Sequence, residues 1–193
     1  MTIVLASASP RRFELLRSLA LDVHVAESGY SEDSYFDRPP RELALTHARG
    51  KLASALTKLG RVDVPVVSAD TVVDVDGLPY GKPRSAEHAR EMLRTLAGRT
   101  HEVHTAFAVA YRGTSVAQAS TTRVTFFPID DSEIDAYVES KEPMDKAGAY
   151  GIQGFGATLV ERIEGDFYTV MGLPLASLVR TLRRLGFRLN PAN

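Results

Sequence analysis

The hydrophobic positions of the chain follow two periods, one typical of strands and one typical of helices. Residues 2–6 and 65–73 are near-continuous apolar runs, which are typical of strands covered on both faces of a sheet. Apolar residues at helical spacing predict helices at 12–19, 41–59, 85–97 and 130–140, and from Pro174 onward. Apolar strands alternating with amphipathic helices indicate an α/β fold.

The middle of the chain departs from simple alternation of strands and helices. Residues 100–111 alternate along the chain, and after an Arg112-Gly113 turn residues 116–127 return, which predicts a long antiparallel hairpin. Asp76-Gly77 predicts a second hairpin. Further strands are predicted at 21–26, 157–163 and 168–171. The sheet is therefore expected to be mixed and not a purely parallel, doubly wound one.

Composition narrows the class of protein. The 193 residues are 44% hydrophobic and 24% charged, which predicts one globular domain spanning 1–193. A net charge of −1 argues against general binding of a nucleic-acid polymer. The absence of Cys excludes disulfides, thiolate nucleophiles and cysteine-based zinc sites. With no leader peptide and no membrane-length apolar stretch in the sequence, we expect a cytoplasmic protein without a membrane partner.

The turn between the first strand and the first helix is the first candidate for chemistry. Ser9 is a good N-cap and Pro10 a good first helical residue. Two hydroxyls and the guanidinium groups of Arg11 and Arg12 would then meet the unpaired amides of a helix N-terminus, which is a setting that attracts phosphate. The alternative is a capped helix with solvated arginines, and the residues alone do not decide between the two.

A single carboxylate interrupts the apolar strand at 65–73. Asp70 is costly there unless it is paired, hydrogen-bonded or bound to a metal, so it is the best candidate for a reacting group. The alternative is a turn-forming aspartate at the end of a strand. Further along, Gly81 and Pro83 restrain the backbone on either side of Lys82, which would make a well-held point charge for a phosphate.

Two weaker candidates precede that strand. The polar loop 27–37 contains four carboxylates, of which Glu32 is the best placed to help bind a hard cation such as magnesium; a solvated loop is the alternative. Lys51 lies beside the apolar stripe of helix 41–59 and is of interest only if it faces the phosphate-binding turn. His101 and His104 fall on opposite faces of a strand and are interpreted as ordinary strand residues.

Residues 144–156 are rich in glycine and alanine and predict neither a helix nor a strand. Such a segment lets the backbone approach a flat or crowded ligand, with Tyr150 and Gln153 as the recognition side chains. The Gln153 amide offers a donor and an acceptor together, which suits a base edge. A simple turn is the alternative, and Asp145 and Lys146 would then form a surface ion pair of little energetic value.

Five segments together resemble the Maf family of nucleoside triphosphate pyrophosphatases. They are Leu-Ala-Ser-Ala-Ser-Pro-Arg-Arg (5–12), Ser-Ala-Asp-Thr-Val-Val (68–73), Gly-Lys-Pro (81–83), Lys-Ala-Gly-Ala-Tyr-Gly-Ile-Gln-Gly (146–154) and Gly-Asp-Phe-Tyr-Thr-Val-Met-Gly-Leu-Pro (165–174). The resemblance implies an α/β fold with a mixed, bent β-sheet flanked by helices and a cleft between two lobes, similar to the inosine triphosphate pyrophosphatases. It also implies hydrolysis of a nucleoside triphosphate to the monophosphate and pyrophosphate.

The resemblance also implies roles for individual residues. Asp70 matches the family's proton acceptor, and Arg11, Thr71 and Gln153 match the positions that set base choice. In the branch acting on dTTP and UTP these positions are Arg, Thr and Gln, as they are in this chain. The remaining matches to residues of the family's cleft are Ser7, Arg12, Glu32, Lys51 and Lys82.

The expected function is therefore that of a dTTP/UTP pyrophosphatase that removes nucleotides from the cellular pool. The expected cofactor is Mg²⁺ or Mn²⁺, held by Glu32 and Asp70, although Asp70 could instead act only on the attacking water. Resemblance also allows a homodimer. Two alternatives stay open: a nucleotide-binding regulator of septum formation, and a hydrolase of a modified or purine triphosphate.

Overall fold

The computed structural model describes residues 1–32 and 38–189, and within them a mixed seven-stranded sheet is flanked by helices. Its strands are β1 (Thr2–Leu5), β2 (Asp22–Val25), β3 (Val66–Val75), β4 (Leu78–Tyr80), β5 (Thr100–Tyr111), β6 (Thr114–Phe126) and β7 (Val160–Glu164). Their order is β2-β1-β3-β5-β6-β7, with β4 paired beside β3. β1 pairs in parallel with β2 and β3, and the other pairs are antiparallel. The mixed sheet and both hairpins predicted from the sequence are confirmed.

The helices are α1 (Pro10–Arg17), α2 (Pro40–Leu59), α3 (Ala86–Leu96), α4 (Asp131–Glu139), α5 (Phe167–Met171) and α6 (Leu175–Arg184). Local chemistry fixes several of their ends. The Ser85 side chain accepts a hydrogen bond from the His88 amide at the start of α3, and Asp130 forms a capping box with Glu133 before α4. Gly60, with a positive φ, ends α2. In the described residues, each helix is too short or too polar to cross a bilayer.

Two local predictions are wrong. Residues 168–171 form the helix α5 and not a strand, because the Asp166 carboxylate accepts hydrogen bonds from the amide and hydroxyl of Thr169 and so starts a helical turn. Of the predicted strand 157–163, only the part from Val160 onward is strand, since Gly154–Leu159 forms 3₁₀ turns. Within the described residues, Ser9 precedes α1 as predicted but its side chain makes no capping hydrogen bond.

The two faces of the sheet are covered differently. On one face α2 packs against Val66 and Val72 of β3 and against Ala106 of β5. The opposite face carries two separate apolar clusters, one built on α1 and α6 and the other on α3 and α4. The odd-numbered side chains of β3 enter the first cluster at Val67 and the second at Val73, so the space between the clusters lies over the middle of this strand.

On one edge of β3, the strand pairing is also interrupted over the middle of the strand. β3 pairs with β1 at Val66 and Val67 and with β4 from Val73 to Val75. Within the described part of the chain, residues 68–72 between them pair only with β5. This break gives side chains from both faces of β3 access to one opening, which is where the interrupting Asp70 lies.

Candidate active site

A cleft of about 1550 Å³ opens at the break in the pairing of β3. Its walls come from the turn before α1, from α2, α3 and β3, and from the glycine-rich segment after α4. The residues that were predicted from the sequence to bind substrate or metal, or to react, all line this cleft: Ser7, Arg11, Arg12, Glu32, Lys51, Asp70, Thr71, Lys82 and Gln153. Groups separated by more than a hundred residues in the chain therefore face one solvent-accessible space. Of the acidic loop considered with Glu32, Asp33 and Asp37 lie outside the described residues.

The centre of the cleft contains one ammonium group between two carboxylates. Lys51 Nζ lies 2.6 Å from Asp70 Oδ1 and 2.6 Å from Glu32 Oε1. Lys51 therefore faces the site, and does not simply extend to bulk solvent. The side chains of Lys51 and Asp70 are only 11% and 9% exposed, whereas that of Glu32 is 53% exposed. The Lys51–Asp70 pair is consequently the less screened of the two ion pairs.

The charge of Lys51 also governs the ionisation of Glu32. Partial burial favours the neutral carboxyl, but the charge and hydrogen bond of Lys51 outweigh it, so the pKa of Glu32 lies below its ordinary value. His47 and Lys82 add smaller contributions in the same direction, which places the exposed Lys82 within electrostatic reach of Glu32. Glu32 is therefore ionised at neutral pH and available to a cation.

Arg12 lies at the floor of the cleft and is held on three sides. Its Nε donates to the Gly172 carbonyl at 2.8 Å, and its two terminal nitrogens donate to Ser7 Oγ at 3.1 Å and Thr71 Oγ1 at 3.0 Å. Burial lowers the pKa of Arg12, and the charge of Asp70 opposes that shift. In the described residues no carboxylate forms an ion pair with this guanidinium, so it is a buried positive charge that an anion would stabilise.

The hydroxyl of Thr71 belongs to a hydrogen-bonded chain whose direction is fixed. Thr105 Oγ1 donates to the Thr169 carbonyl at 2.6 Å, and a carbonyl can only accept. The 2.9 Å contact between Thr71 Oγ1 and Thr105 Oγ1 is therefore donated by Thr71. Because the only proton of the Thr71 hydroxyl is used in this contact, Thr71 can offer a ligand a hydrogen-bond acceptor but no donor.

Arg11 points to the opposite wall, where it contacts Asp145. Its Nη1 lies 3.1 Å from Asp145 Oδ2, with side-chain exposures of 32% and 58%. Lys146 Nζ contacts the other oxygen of Asp145 at 2.6 Å. Burial raises the pKa of Asp145, but the hydrogen bond from Lys146 and the charge of Arg11 outweigh it and lower the pKa overall. The alternative of a simple turn would make Asp145 and Lys146 an isolated surface pair, whereas the structure joins this pair to Arg11 across the cleft.

The two recognition residues of the glycine-rich segment have different surroundings. Gln153 is exposed at the mouth of the cleft. Tyr150 is only 5% exposed, and its hydroxyl pairs with His101 Nε2 at 2.7 Å while its ring contacts Phe126 edge to face. Tyr150 thus lines the cleft as a core residue whose hydroxyl is already paired with His101, while Gln153 is the more exposed of the two. Burial lowers the pKa of His101 to about 4.

Comparison with known proteins places this arrangement in a family. The family model for Maf-like proteins matches residues 2–185. The chain belongs to the Maf family. A relative from Methylobacillus flagellatus named dTTP/UTP pyrophosphatase is 50% identical over 95% of this chain and 92% of its own length. A relative from Thermococcus onnurineus with the same name is 46% identical over 96% of this chain and 98% of its own length.

A third relative extends the comparison. The dTTP/UTP pyrophosphatase of Bacillus velezensis is 43% identical over 96% of this chain and 97% of its own length. Among solved structures, the Staphylococcus aureus Ham1 protein matches with a TM-score of 0.50 and 16% identity, over 83% of this chain and 80% of that one. This likeness concerns the fold alone. The family resemblance drawn from the five sequence segments is confirmed.

Another polar group of this Maf protein lies on the α2 face of the sheet. One ligand atom from each of Asp74, Glu102 and His104 lies within 4.8 Å of the others. His104 Nε2 contacts Asp74 Oδ2 at 3.1 Å, and its Nδ1 contacts Thr121 Oγ1 at 2.9 Å. His104 and His101 do lie on opposite faces as expected, but the sequence did not reveal that Asp74 completes a group with Glu102 and His104.

Several residues that shape the cleft were missed by the sequence analysis. Thr105 was not singled out because its role depends on the register that sets it opposite Thr71. His47 and Arg84, which also line the cleft, appeared as ordinary residues of helix and loop. The sequence analysis named Asp145 only as part of a surface ion pair, because its contact with Arg11 joins residues distant in the chain.

Proposed function

We propose that this protein hydrolyses dTTP and UTP to their monophosphates and pyrophosphate, and so removes these nucleotides from the cellular pool. The observation that carries the proposal is the convergence of Asp70, Lys51 and Arg12 on one cleft that also presents Gln153. An acid–base carboxylate, a concentration of positive charge and an amide suited to a base edge are the groups this reaction requires. The names of relatives 43–50% identical to this chain support the same activity.

Asp70 is the proposed proton acceptor. In the reaction a bond forms between a water oxygen and the α-phosphorus, the bond from the α-phosphorus to the bridging oxygen breaks, and pyrophosphate leaves with the bond's electron pair. The water proton passes to the carboxylate of Asp70. The 2.6 Å contact with Lys51 Nζ holds this carboxylate in place within the cleft.

Positive groups of the cleft are proposed to stabilise the charge that develops on the phosphates. Arg12 is buried and already oriented by Ser7, Thr71 and Gly172, so it needs little reorganisation when the substrate binds. Lys82 is an exposed cation in the lining of the same cleft and is proposed to bind the leaving pyrophosphate. The free amides at the start of α1 favour the same negative charge.

Glu32 and Asp70 are the residues that would hold a divalent cation. Their carboxylate oxygens converge on the single ammonium of Lys51, so two hard oxygen donors already point to one position that carries positive charge. One or two carboxylates with water and substrate phosphate is the ligand set that Mg²⁺ prefers. When bound, Mg²⁺ or Mn²⁺ supplies additional positive charge to the phosphate oxygens.

Arg11, Thr71 and Gln153 are the proposed readers of the base. The imide edge of thymine or uracil alternates carbonyl acceptors with one N–H donor. Gln153 offers both a donor and an acceptor, Arg11 offers donors, and Thr71 offers only an acceptor because its proton is donated to Thr105. A base without the matching N–H would leave a polar group of the site unpaired, which is an effective basis for discrimination.

The test is a panel of nucleoside triphosphates with Mg²⁺ or Mn²⁺, in which pyrophosphate and the monophosphate are measured as separate products. We expect one pyrophosphate and one monophosphate per substrate, with dTTP and UTP turned over fastest. Release of inorganic phosphate and a nucleoside diphosphate would contradict cleavage at the α-phosphorus. Faster turnover of GTP or 7-methyl-GTP than of UTP would contradict the assignment of the base.

A further inference from the structure

Gln153 lies on a short turn, residues 151–156, whose shape depends on close approach of the backbone. Gly154 has a φ of +68°. A Cβ at Gly156 would lie 2.5 Å from the Gly151 carbonyl oxygen and 2.5 Å from the Tyr137 hydroxyl. The turn, which we call the Gln153 turn, therefore folds back tightly on itself and on α4.

One carboxylate outside this turn accepts hydrogen bonds from its far end. Glu142 Oε2 accepts from the Phe155 amide at 3.0 Å, and Glu142 Oε1 accepts from the Gly156 amide at 3.2 Å. Hydrogen bonds to a charged acceptor are stronger than those between neutral groups. Glu142 thus accepts hydrogen bonds from the backbone amides of the two residues that follow Gly154.

Tyr137 connects the same carboxylate to the near end of the turn. Its hydroxyl donates to Glu142 Oε1 at 3.1 Å and accepts from the Gly151 amide at 3.1 Å. Tyr137 is fully buried, and burial raises its pKa, so the hydroxyl remains protonated and able to donate. Its ring is stacked on Phe155 with centroids 6.1 Å apart. Both ends of the Gln153 turn are consequently held through Glu142.

We propose that Glu142 is a positioning residue for base selection, because it fixes the backbone on which Gln153 is presented to the nucleotide. The inference rests on the proposed function and adds a residue that need not touch the substrate. The same residue begins the 3₁₀ turn Glu142–Asp145, whose last residue pairs with Arg11. The 3₁₀ turn Glu142–Asp145 therefore contacts the Gln153 turn through its first residue and Arg11 through its last. In this way it orients Gln153 and Arg11, two of the three proposed readers of the base.

The test variant is Glu142→Gln, which keeps the size of the side chain but replaces one accepting oxygen with an NH₂ group that cannot accept an amide N–H. We expect kcat/KM for dTTP to fall about tenfold, mainly through KM, while kcat/KM for CTP changes little. The ratio of the two values would then fall by about the same factor. Hydrogen exchange at the amides of Phe155 and Gly156, measured without substrate, should become faster.

Controls separate positioning from general damage to the fold. Glu139→Gln removes the same charge from an exposed position at the end of α4 and should leave the dTTP-to-CTP ratio and both exchange rates unchanged. Tyr137→Phe removes only a hydroxyl and should shift the ratio in the same direction by a smaller factor, which keeps the test usable if Glu142→Gln does not fold.

An unchanged dTTP-to-CTP ratio in folded Glu142→Gln would overturn the inference, as would equal losses for both substrates. Failure of the proposed function is recognised separately, because the unmodified protein would then release no pyrophosphate from dTTP. In that case the exchange rates still report whether Glu142 holds the turn.

Discussion

Lys51 Nζ and Asp70 Oδ1 lie 2.6 Å apart, and both side chains are largely buried. α2 brings the lysine and β3 brings the carboxylate, so packing of this helix on the sheet assembles the pair. Charges that are buried and paired are stable together, but each is costly if its partner is removed. The contact therefore links the stability of the fold to the chemistry proposed for the cleft.

Replacement of Lys51 should separate these two roles. We expect Lys51→Met to lower the free energy of unfolding at neutral pH by about 3 kcal/mol, because Asp70 keeps a buried charge without its nearest partner. The double variant Lys51→Met, Asp70→Asn should regain part of that stability, yet remain inactive. Denaturant titration measures the stability, with Lys58→Met as a control at an exposed position of the same helix. An unaltered unfolding free energy in Lys51→Met would contradict the interpretation of the pair.

The threonine chain behind Arg12 gives a second prediction. Thr105→Val keeps the shape of the side chain but removes the acceptor for Thr71 and the donor to the Thr169 carbonyl. We expect kcat/KM for dTTP to fall about tenfold, because Thr71 can then turn and Arg12 loses a fixed acceptor. Steady-state pyrophosphate release measures this effect.

The matched control for that variant is Thr125→Val. Thr125 also makes a 2.9 Å contact with a threonine on the neighbouring strand, but it lies outside the residues that line the cleft in the described structure. We expect Thr125→Val to lower the free energy of unfolding about as much as Thr105→Val does, with little change in kcat/KM. Equal kinetic effects of both variants would show that the loss reflects the sheet in general and not the orientation of Arg12.

Much of the fold was predictable because local patterns and tertiary packing agree. The apolar run of β3, the amphipathic stripe of α2 and the alternation of β5 each indicate the element that forms. The conformation of residues 168–171 was mispredicted because so short a segment has no distinguishable period, and the Asp166 cap decides its conformation.

The candidate site was predictable where a residue conflicts with its local pattern. Asp70 is conspicuous as a charge in an apolar strand, and Arg11 and Arg12 as cations at a helix N-terminus. Thr105 has no such feature, since its position opposite Thr71 depends on strand register. The burial of Tyr150 could not be predicted because its contacts with His101 and Phe126 join segments distant in the sequence.

His101 gives a prediction about pH. Burial lowers its pKa to about 4, so the folded protein keeps this imidazole neutral at pH values where the unfolded chain binds a proton. Its contribution to stability is complete above about pH 6.5 and declines as the pH falls towards 4. Between pH 8 and pH 5 the unfolding free energy should fall by about 2 kcal/mol more in the unmodified protein than in His101→Gln.

Urea titrations at several pH values test this difference. His88→Gln removes a half-buried imidazole from α3 and is the control, with the pH dependence of the unmodified protein expected to be kept. Parallel curves for the unmodified protein and His101→Gln across this range would contradict a buried neutral histidine.

The most direct test of the proposed chemistry is pyrophosphate release from dTTP by Asp70→Asn, measured together with dTTP binding by calorimetry. Asparagine keeps the size of the side chain and an oxygen for Lys51, but it cannot take the proton of the attacking water. We predict that turnover falls by about a thousandfold while dTTP still binds. Turnover equal to that of the unmodified protein would remove Asp70 from the reaction and contradict the account.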